Sequence, residues 1–157
     1  HLLFVREIAR ALPGAKFIHL VRHGPDVVAS LFEVTHAHPE VWGGARSLEA
    51  CVARWVRDAA ISRRHEGKDG HFTVRYEALT EDPAGTLQGL FAFVGVPFGP
   101  PEEAAVMTGY GRAAGGVSGG ERWKEGVRGS IRPRRDKFAR FTPDAQAFVL
   151  SRTRLER

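Results

Sequence analysis

The feature that most constrains the fold is a strand, a tight turn and a helix that follow one another in residues 17–34. Phe17 to Val21 form a mostly apolar run of strand length, which suits a parallel strand covered on both faces. Gly24-Pro25 closes this run, and Pro25 suits the first turn of a helix, where a backbone N–H has no helical partner. The apolar residues of that helix share one face: Val27, Val28, Leu31 and Val34.

The rest of the first hundred residues continues this alternation of helices and strands. A helical pattern opens the chain and stops at Pro13-Gly14, and a long amphipathic helix is predicted from Ser47 onward. Apolar and polar residues alternate over 72–76, as in a second strand. Asp82-Pro83 then begins a helix that Gly95 ends. This order predicts an α/β fold with a parallel sheet.

The last third has a different composition. Eight glycines lie between Gly109 and Gly129, which predicts a long loop whose backbone can approach a ligand. Residues 109–137 carry eight Arg or Lys against three Asp or Glu, a surplus equal to the net charge of +5 of the whole chain. One basic segment on a neutral body favours a local anion site over general polyanion binding. Thr142-Pro143-Asp144 then begins a short final helix.

The cysteine content and the hydropathy indicate the cellular compartment of the protein. The single cysteine, Cys51, excludes an internal disulfide framework and lies in an apolar helical pattern that predicts burial. No apolar run approaches the roughly 20 residues that span a bilayer, and the first residues lack the pattern of a signal peptide. We therefore expect a cytoplasmic protein that does not associate with membranes.

Arg22 and Ser30 are the strongest candidates for a binding site. Ligands of open α/β sheets bind beyond the carboxyl ends of the strands, and Arg22 directly follows the first predicted strand. Ser30 comes eight residues later, just over one turn into the helix, so a guanidinium and a hydroxyl can bind one phosphate near a helix start. The plainer alternative is an exposed arginine at a strand end and a serine on a helix surface.

The run from Phe17 to Leu31 closely resembles the 3′-phosphate-binding segment of sulfotransferases, in which an apolar strand is followed by Arg and, eight residues on, by Ser. The resemblance implies that Arg22 and Ser30 bind the 3′-phosphate of 3′-phosphoadenosine-5′-phosphosulfate (PAPS), the sulfuryl donor. Residues 75–83, Arg-Tyr-Glu-Ala-Leu-Thr-Glu-Asp-Pro, resemble a second family signature. That signature implies that Tyr76 contacts the adenosine part of the donor. An amphipathic aromatic residue at the end of a core strand is the alternative.

A third segment is similar to the family over a shorter stretch. Residues 123–129, Trp-Lys-Glu-Gly-Val-Arg-Gly, and the later Phe141-Thr142 resemble the Arg-Lys-Gly loop and the Phe-Thr pair of cytosolic sulfotransferases. The resemblance implies that Lys124, Gly126 and Arg128 contact phosphate. A solvated basic loop is the alternative reading of this segment.

The resemblance also implies a fold and an activity. The fold is a three-layer parallel α/β sheet related to P-loop nucleoside triphosphate hydrolases, and residues 1–157 form the C-terminal portion of one such domain. No glycine-rich phosphate loop occurs near the start of the chain, so we expect the loop for the 5′-phosphosulfate to lie outside it. The implied reaction transfers a sulfuryl group from PAPS to a hydroxyl or amine of a small-molecule acceptor and leaves adenosine 3′,5′-bisphosphate (PAP). It needs no metal and no nucleic-acid partner.

Other functions stay open at this point. A kinase-like phosphotransferase with a P-loop fold would need ATP and Mg²⁺, and the sequence has no Walker motif. A basic nucleotide- or nucleic-acid-binding module built on residues 109–137 would bind long polyanions with a steep dependence on salt. No Cys, Asp or third His completes a metal-ligand set with His36 and His38 at a recognisable spacing, so no metal site is predicted. The sequence assigns no catalytic base, acceptor or oligomeric state.

Overall fold

The computed structural model describes the backbone of residues 2–113 and 137–154 and the side chains of residues 2–106 and 137–154. The chain divides into two compact units, one of His1–Glu77 with Arg134–Arg157 and the other of Ala78–Pro133. The described strands are β1 (Phe17–Val21) and β2 (His71–Arg75). The described α-helices, in chain order, are α1 (Val5–Ala11), α2 (Gly24–Ala37), α3 (Pro39–Trp42), α4 (Leu48–Arg63), α5 (Tyr76–Glu81), α6 (Pro83–Val94), α7 (Pro100–Ala113) and α8 (Pro143–Thr153).

The two strands form a parallel sheet in the first unit. Phe17 pairs with His71 and Val21 with Arg75, so both strands end at the same edge. A parallel pair needs a long crossover, and the helices α2, α3 and α4 lie between the two strands in sequence. This arrangement confirms the α/β class predicted from the alternation of elements.

Local capping explains where the helices begin. The side chain of Ser47 accepts a hydrogen bond from the Ala50 N–H at 3.2 Å, that of Asp82 from the Gly85 N–H at 3.0 Å, and that of Thr142 from the Ala145 N–H at 3.4 Å. Each bond satisfies an N–H that has no partner within its own helix. The three predicted helix starts are therefore confirmed.

The core of the first unit lies where α2, α4 and α8 meet. Its buried side chains come from these three helices: Val28, Cys51, Val52, Trp55, Ala59 and Val149. Cys51 is fully buried, as its helical pattern predicted, and burial raises the pKa of its thiol. The edge of the Phe141 ring packs on Phe32 with ring centroids 5.5 Å apart, and Lys137 pairs with Glu33 at 3.0 Å. These contacts hold the segment before α8 against α2.

Each of the two strands differs from its sequence prediction in one respect. Ile18 and Leu20 are 51% and 63% exposed, so the described residues do not cover β1 on both faces, and the buried residue of its centre is His19. The second strand ends at Arg75, and Tyr76 already begins α5.

The predicted glycine-rich loop does not begin at Gly109, because α7 continues to Ala113. Glu102 accepts a hydrogen bond from the Gly99 N–H at 3.0 Å at the start of this helix. Gly109 and Gly111 lie within α7, although a glycine in a helix costs about 1 kcal/mol relative to alanine. Residues 114–136 lie outside the described part of the chain.

The second unit contains α6 and α7. Gly95 ends α6 in the left-handed conformation, with φ of 87°, as the sequence predicted. The rings of Phe91 and Phe98 lie 4.7 Å apart and pack the end of α6 against the chain that follows it.

In the described ranges, no helix combines the length and the hydropathy that crossing a bilayer requires.

Candidate functional site

A pocket of about 500 Å³ opens in the first unit, at the carboxyl ends of both strands. Val21 and Arg75, the last residues of β1 and β2, line it. Gly24 and Pro25 also line it, so the N-terminus of α2 meets the pocket. This is the edge at which ligands of parallel α/β sheets bind, and the partial positive charge of the helix start favours an anion.

The pocket is lined by basic side chains and by apolar side chains. Arg22, Arg75 and Arg154 contribute guanidinium groups, and Glu77 contributes a carboxylate. The apolar part comes from four side chains: Val21, Pro25, Trp55 and Leu150. Such a surface suits a phosphate that is attached to a larger, partly apolar group.

Arg22 and Tyr76, two residues predicted to contact nucleotide, meet in the structure. The guanidinium carbon of Arg22 lies 4.6 Å from the centroid of the Tyr76 ring. A cation over the face of an aromatic ring is stabilised by the ring quadrupole. The edge of the guanidinium carries the N–H donors that a phosphate uses.

The turn that follows Arg22 is held by two carboxylates. The backbone N–H of His23 donates to Oε1 of Glu77 at 2.9 Å, and Nδ1 of His23 lies 3.1 Å from Oδ2 of Asp26. Asp26 is buried. Sequence reasoning assigned neither carboxylate to the site, and the one local signal was that Glu77 follows Tyr76 in the second family-like segment.

Gly24 is required by a close approach of three helices. A Cβ at this position would lie 2.7 Å from Cβ of Thr153 and 2.9 Å from the Trp55 ring. Any side chain would force α4 or α8 away from the start of α2. The glycine therefore lets both helices pack at the rim of the pocket.

The other predicted site residues are Ser30 and three residues of the basic segment. Ser30 lies half-buried on α2 and is not among the residues that line the pocket. Lys124, Gly126 and Arg128 lie outside the described residues. Phe141 packs on Phe32 and Thr142 caps α8, so the described contacts of the Phe-Thr pair are packing and capping.

Three histidines form a second ionisable cluster, outside the pocket. Nε2 of His19 lies 2.9 Å from Nδ1 of His71, and the ring of His65 lies 4.4 Å from that of His71. The rings stack, so their nitrogens do not converge on one point, and no group of metal ligands is found in the described ranges. Burial lowers the pKa of all three imidazoles, and the neighbouring positive charges of Lys68 and Arg6 add to the effect at His65.

Comparisons with solved structures show the fold. The crystal structure of mouse sulfotransferase SULT7A1 complexed with PAP matches with a TM-score of 0.67 and 16% identity, over 88% of this chain and 56% of that one. A sulfotransferase domain from the curacin biosynthetic pathway matches with a TM-score of 0.49 and 27% identity, over 60% of this chain and 35% of that one. The chain thus spans about half the length of the mouse protein, and the predicted partial α/β domain is confirmed.

Comparison with curated protein sequences found no match. A sequence profile described as the sulfotransferase family matches residues 1–100. This range includes both strands, Arg22, Tyr76 and Glu77, and it makes up more than half of the 157 residues. The chain therefore belongs to the sulfotransferase family.

Proposed function

We propose that this chain binds the nucleotide part of PAPS and that the protein transfers the sulfuryl group of PAPS to a hydroxyl or amine of a small-molecule acceptor. The observation that carries the proposal is Arg22, which lines the pocket at the carboxyl end of β1 and whose guanidinium lies over the ring of Tyr76. Tyr76 itself is not among the lining residues. Membership in the sulfotransferase family supports the same chemistry. A single cysteine, buried in α4, supports a reducing, cytoplasmic setting.

The residues of the pocket fit the 3′-phosphate end of this donor. A phosphate monoester carries a charge of about −1.5 to −2 at neutral pH. Arg22, Arg75 and Arg154 line the pocket together with Glu77, so basic residues outnumber the acidic one there, and the guanidinium of Arg75 also pairs with Glu66 at 3.4 Å. The apolar part of the lining, with Trp55 and Leu150, offers a surface for the adenosine part.

In this account each residue has a distinct role. Arg22 pairs with the 3′-phosphate, and the ring of Tyr76 holds Arg22 in plane and borders the adenosine. For Ser30, which does not line the pocket, a hydroxyl contact to the same phosphate is supported by the family-like segment alone. Lys124, Gly126 and Arg128 supply further phosphate contacts from the basic segment.

The bound donor supplies the sulfuryl group for transfer. The acceptor oxygen or nitrogen attacks sulfur, the bond between sulfur and the bridging oxygen breaks, and PAP leaves with the electron pair of that bond. The proton of the acceptor passes to a base, which we assign to none of the described residues. The contribution of this chain is to bind and orient the nucleotide.

Titration calorimetry with PAP and with AMP tests the proposal, because the two nucleotides differ in the 3′-phosphate. Hydrogen bonds to charged groups contribute about 1.5–3 kcal/mol, so PAP should bind at least about tenfold more tightly than AMP. Equal affinities would contradict the proposal. Release of PAP from PAPS on addition of a hydroxyl or amine acceptor then tests the transfer step.

Two further titrations separate this function from its rivals. A kinase-like phosphotransferase would prefer ATP with Mg²⁺ over PAP. A nucleic-acid-binding module would bind an oligonucleotide more tightly than PAP and lose orders of magnitude of affinity between low and moderate salt. Either result would replace the proposed function.

A further inference from the structure

Glu77 stands out because it is a carboxylate in a pocket whose other ionisable side chains are basic. It lines the pocket with Arg22, His23, Arg75 and Arg154. Like charges repel, so the carboxylate weakens the binding of any phosphate there. A carboxylate at this position can favour phosphate binding only if another contribution of Glu77 is larger than this repulsion.

The contacts of Glu77 indicate such a task. Its Oε1 accepts a hydrogen bond from the backbone N–H of His23 at 2.9 Å, across 54 residues of sequence. His23 lies between β1 and α2, and Glu77 lies on α5, directly after β2. The bond therefore joins the segments that leave the two strands, at the edge where the pocket opens.

The neighbours of these two residues are also joined. Tyr76 stacks on Arg22 at 4.6 Å, while Glu77 binds the backbone of His23. Two consecutive residues of α5 thus hold two consecutive residues of the turn. One contact orients the guanidinium, and the other fixes the backbone from which that guanidinium extends.

We propose that Glu77 is a positioning residue, which holds the turn at His23 so that Arg22 points its guanidinium into the pocket. This inference rests on the proposed function, since it concerns how Arg22 is set for the 3′-phosphate. Glu77 acts through Arg22 and does not touch the nucleotide. Preorganised donors bind more tightly because less conformational freedom is lost on binding.

Two substitutions of Glu77 have opposite consequences under this proposal. Glu77→Gln keeps an oxygen that can accept from the His23 N–H and removes the negative charge, so PAP should bind as tightly as to the wild type or more tightly. Glu77→Ala removes the charge and the acceptor together, and PAP affinity should fall about tenfold despite the relief of repulsion. A purely electrostatic role predicts tighter binding for both variants.

Calorimetry with PAP and AMP on the wild type and on both variants decides the matter. Glu7, an exposed acid on α1 that does not line the pocket, gives the matched controls Glu7→Gln and Glu7→Ala. Both controls should bind PAP within about twofold of the wild type, because they remove the same negative charge from an exposed position outside the pocket lining. PAP affinity of Glu77→Ala equal to or above that of the wild type would overturn the proposal.

Glu77→Asp keeps the experiment decisive if the alanine variant fails to fold. It retains the charge but shortens the side chain by one methylene, so the bond to His23 should weaken and PAP affinity should fall. Wild-type affinity in Glu77→Asp would overturn the positioning role. A wild type that does not distinguish PAP from AMP would instead overturn the proposed function, so the two failures are distinguishable.

Discussion

Arg22 and Tyr76 lie 54 residues apart in the sequence and stack in the structure, with the guanidinium carbon 4.6 Å from the ring centroid. Arg22 follows β1 and Tyr76 follows β2, so parallel pairing of the strands brings the two residues to one edge. A guanidinium over an aromatic face can still use the N–H groups at its edge to bind a phosphate. The nucleotide site proposed here depends on this relationship.

Loss of the Tyr76 ring should weaken the binding of PAP. A cation over an aromatic face contributes about 0.5–2 kcal/mol, so Tyr76→Leu should lower PAP affinity several-fold. Tyr76→Phe keeps the ring and should retain most of the affinity. Calorimetry on both variants measures the effect, and unchanged affinity in Tyr76→Leu would show that the stack does not contribute to binding.

Gly24→Ala should destabilise the fold. Its Cβ would lie 2.7 Å from Thr153 Cβ and 2.9 Å from the Trp55 ring, and such overpacking costs typically about 1–3 kcal/mol. Urea unfolding followed by circular dichroism measures the loss. Gly99→Ala is the control, because its Cβ would lie 3.4 Å from a flexible glutamate end and should change stability by less than about 0.5 kcal/mol. Equal effects of the two substitutions would contradict the packing argument.

The stacked histidines should make the fold sensitive to acid. His19 and His71 share a hydrogen bond between ring nitrogens that requires one of them to accept, so protonation of both sets two N–H groups against each other. Burial lowers the pKa of His19, His65 and His71 below the usual 6.5, and the unfolded chain therefore binds protons at a higher pH than the folded one.

Stability should consequently be unaffected by these histidines above pH 6.5 and should fall as the pH drops through their lowered pKa values. Melting temperatures between pH 8 and pH 5 measure this slope. His71→Gln should flatten it. The control is His36→Gln, because His36 is exposed and does not belong to the histidine cluster in the described part of the chain. This variant should keep the wild-type slope. An acid slope that His71→Gln leaves unchanged would contradict the assignment to the cluster.

Much of the fold could be predicted because its signals are local. Ser47, Asp82 and Thr142 cap their helices through their own side chains, and Gly95 ends α6 through its own φ. The prediction that β1 is covered on both faces depends instead on partners distant in sequence, and the described residues leave Ile18 and Leu20 exposed. Leu20 is apolar and exposed, whereas His19 is polar and buried against two other imidazoles.

Sequence reasoning could nominate residues of the candidate site where a family-like motif contains them. It could not nominate residues that are marked only by a contact in three dimensions. Arg22 and Tyr76 came from two such motifs, and the structure joins them. Glu77 stands beside Tyr76, but an acidic residue in an anion site has no favourable direct role, and its bond to the His23 backbone is visible only in three dimensions. Arg154 follows α8 and reaches the pocket through helix packing that no local pattern encodes.

The binding of PAP and AMP to wild type, Arg22→Ala and Arg22→Lys tests the central claim most directly. Arg57→Ala is the matched control, since Arg57 is exposed on α4, pairs with Asp58 at 2.8 Å and does not line the pocket. We predict that the preference for PAP over AMP is lost in Arg22→Ala, partly restored in Arg22→Lys and unchanged in Arg57→Ala, because lysine supplies the charge without the planar fork. A preference for PAP that survives in Arg22→Ala would contradict the account.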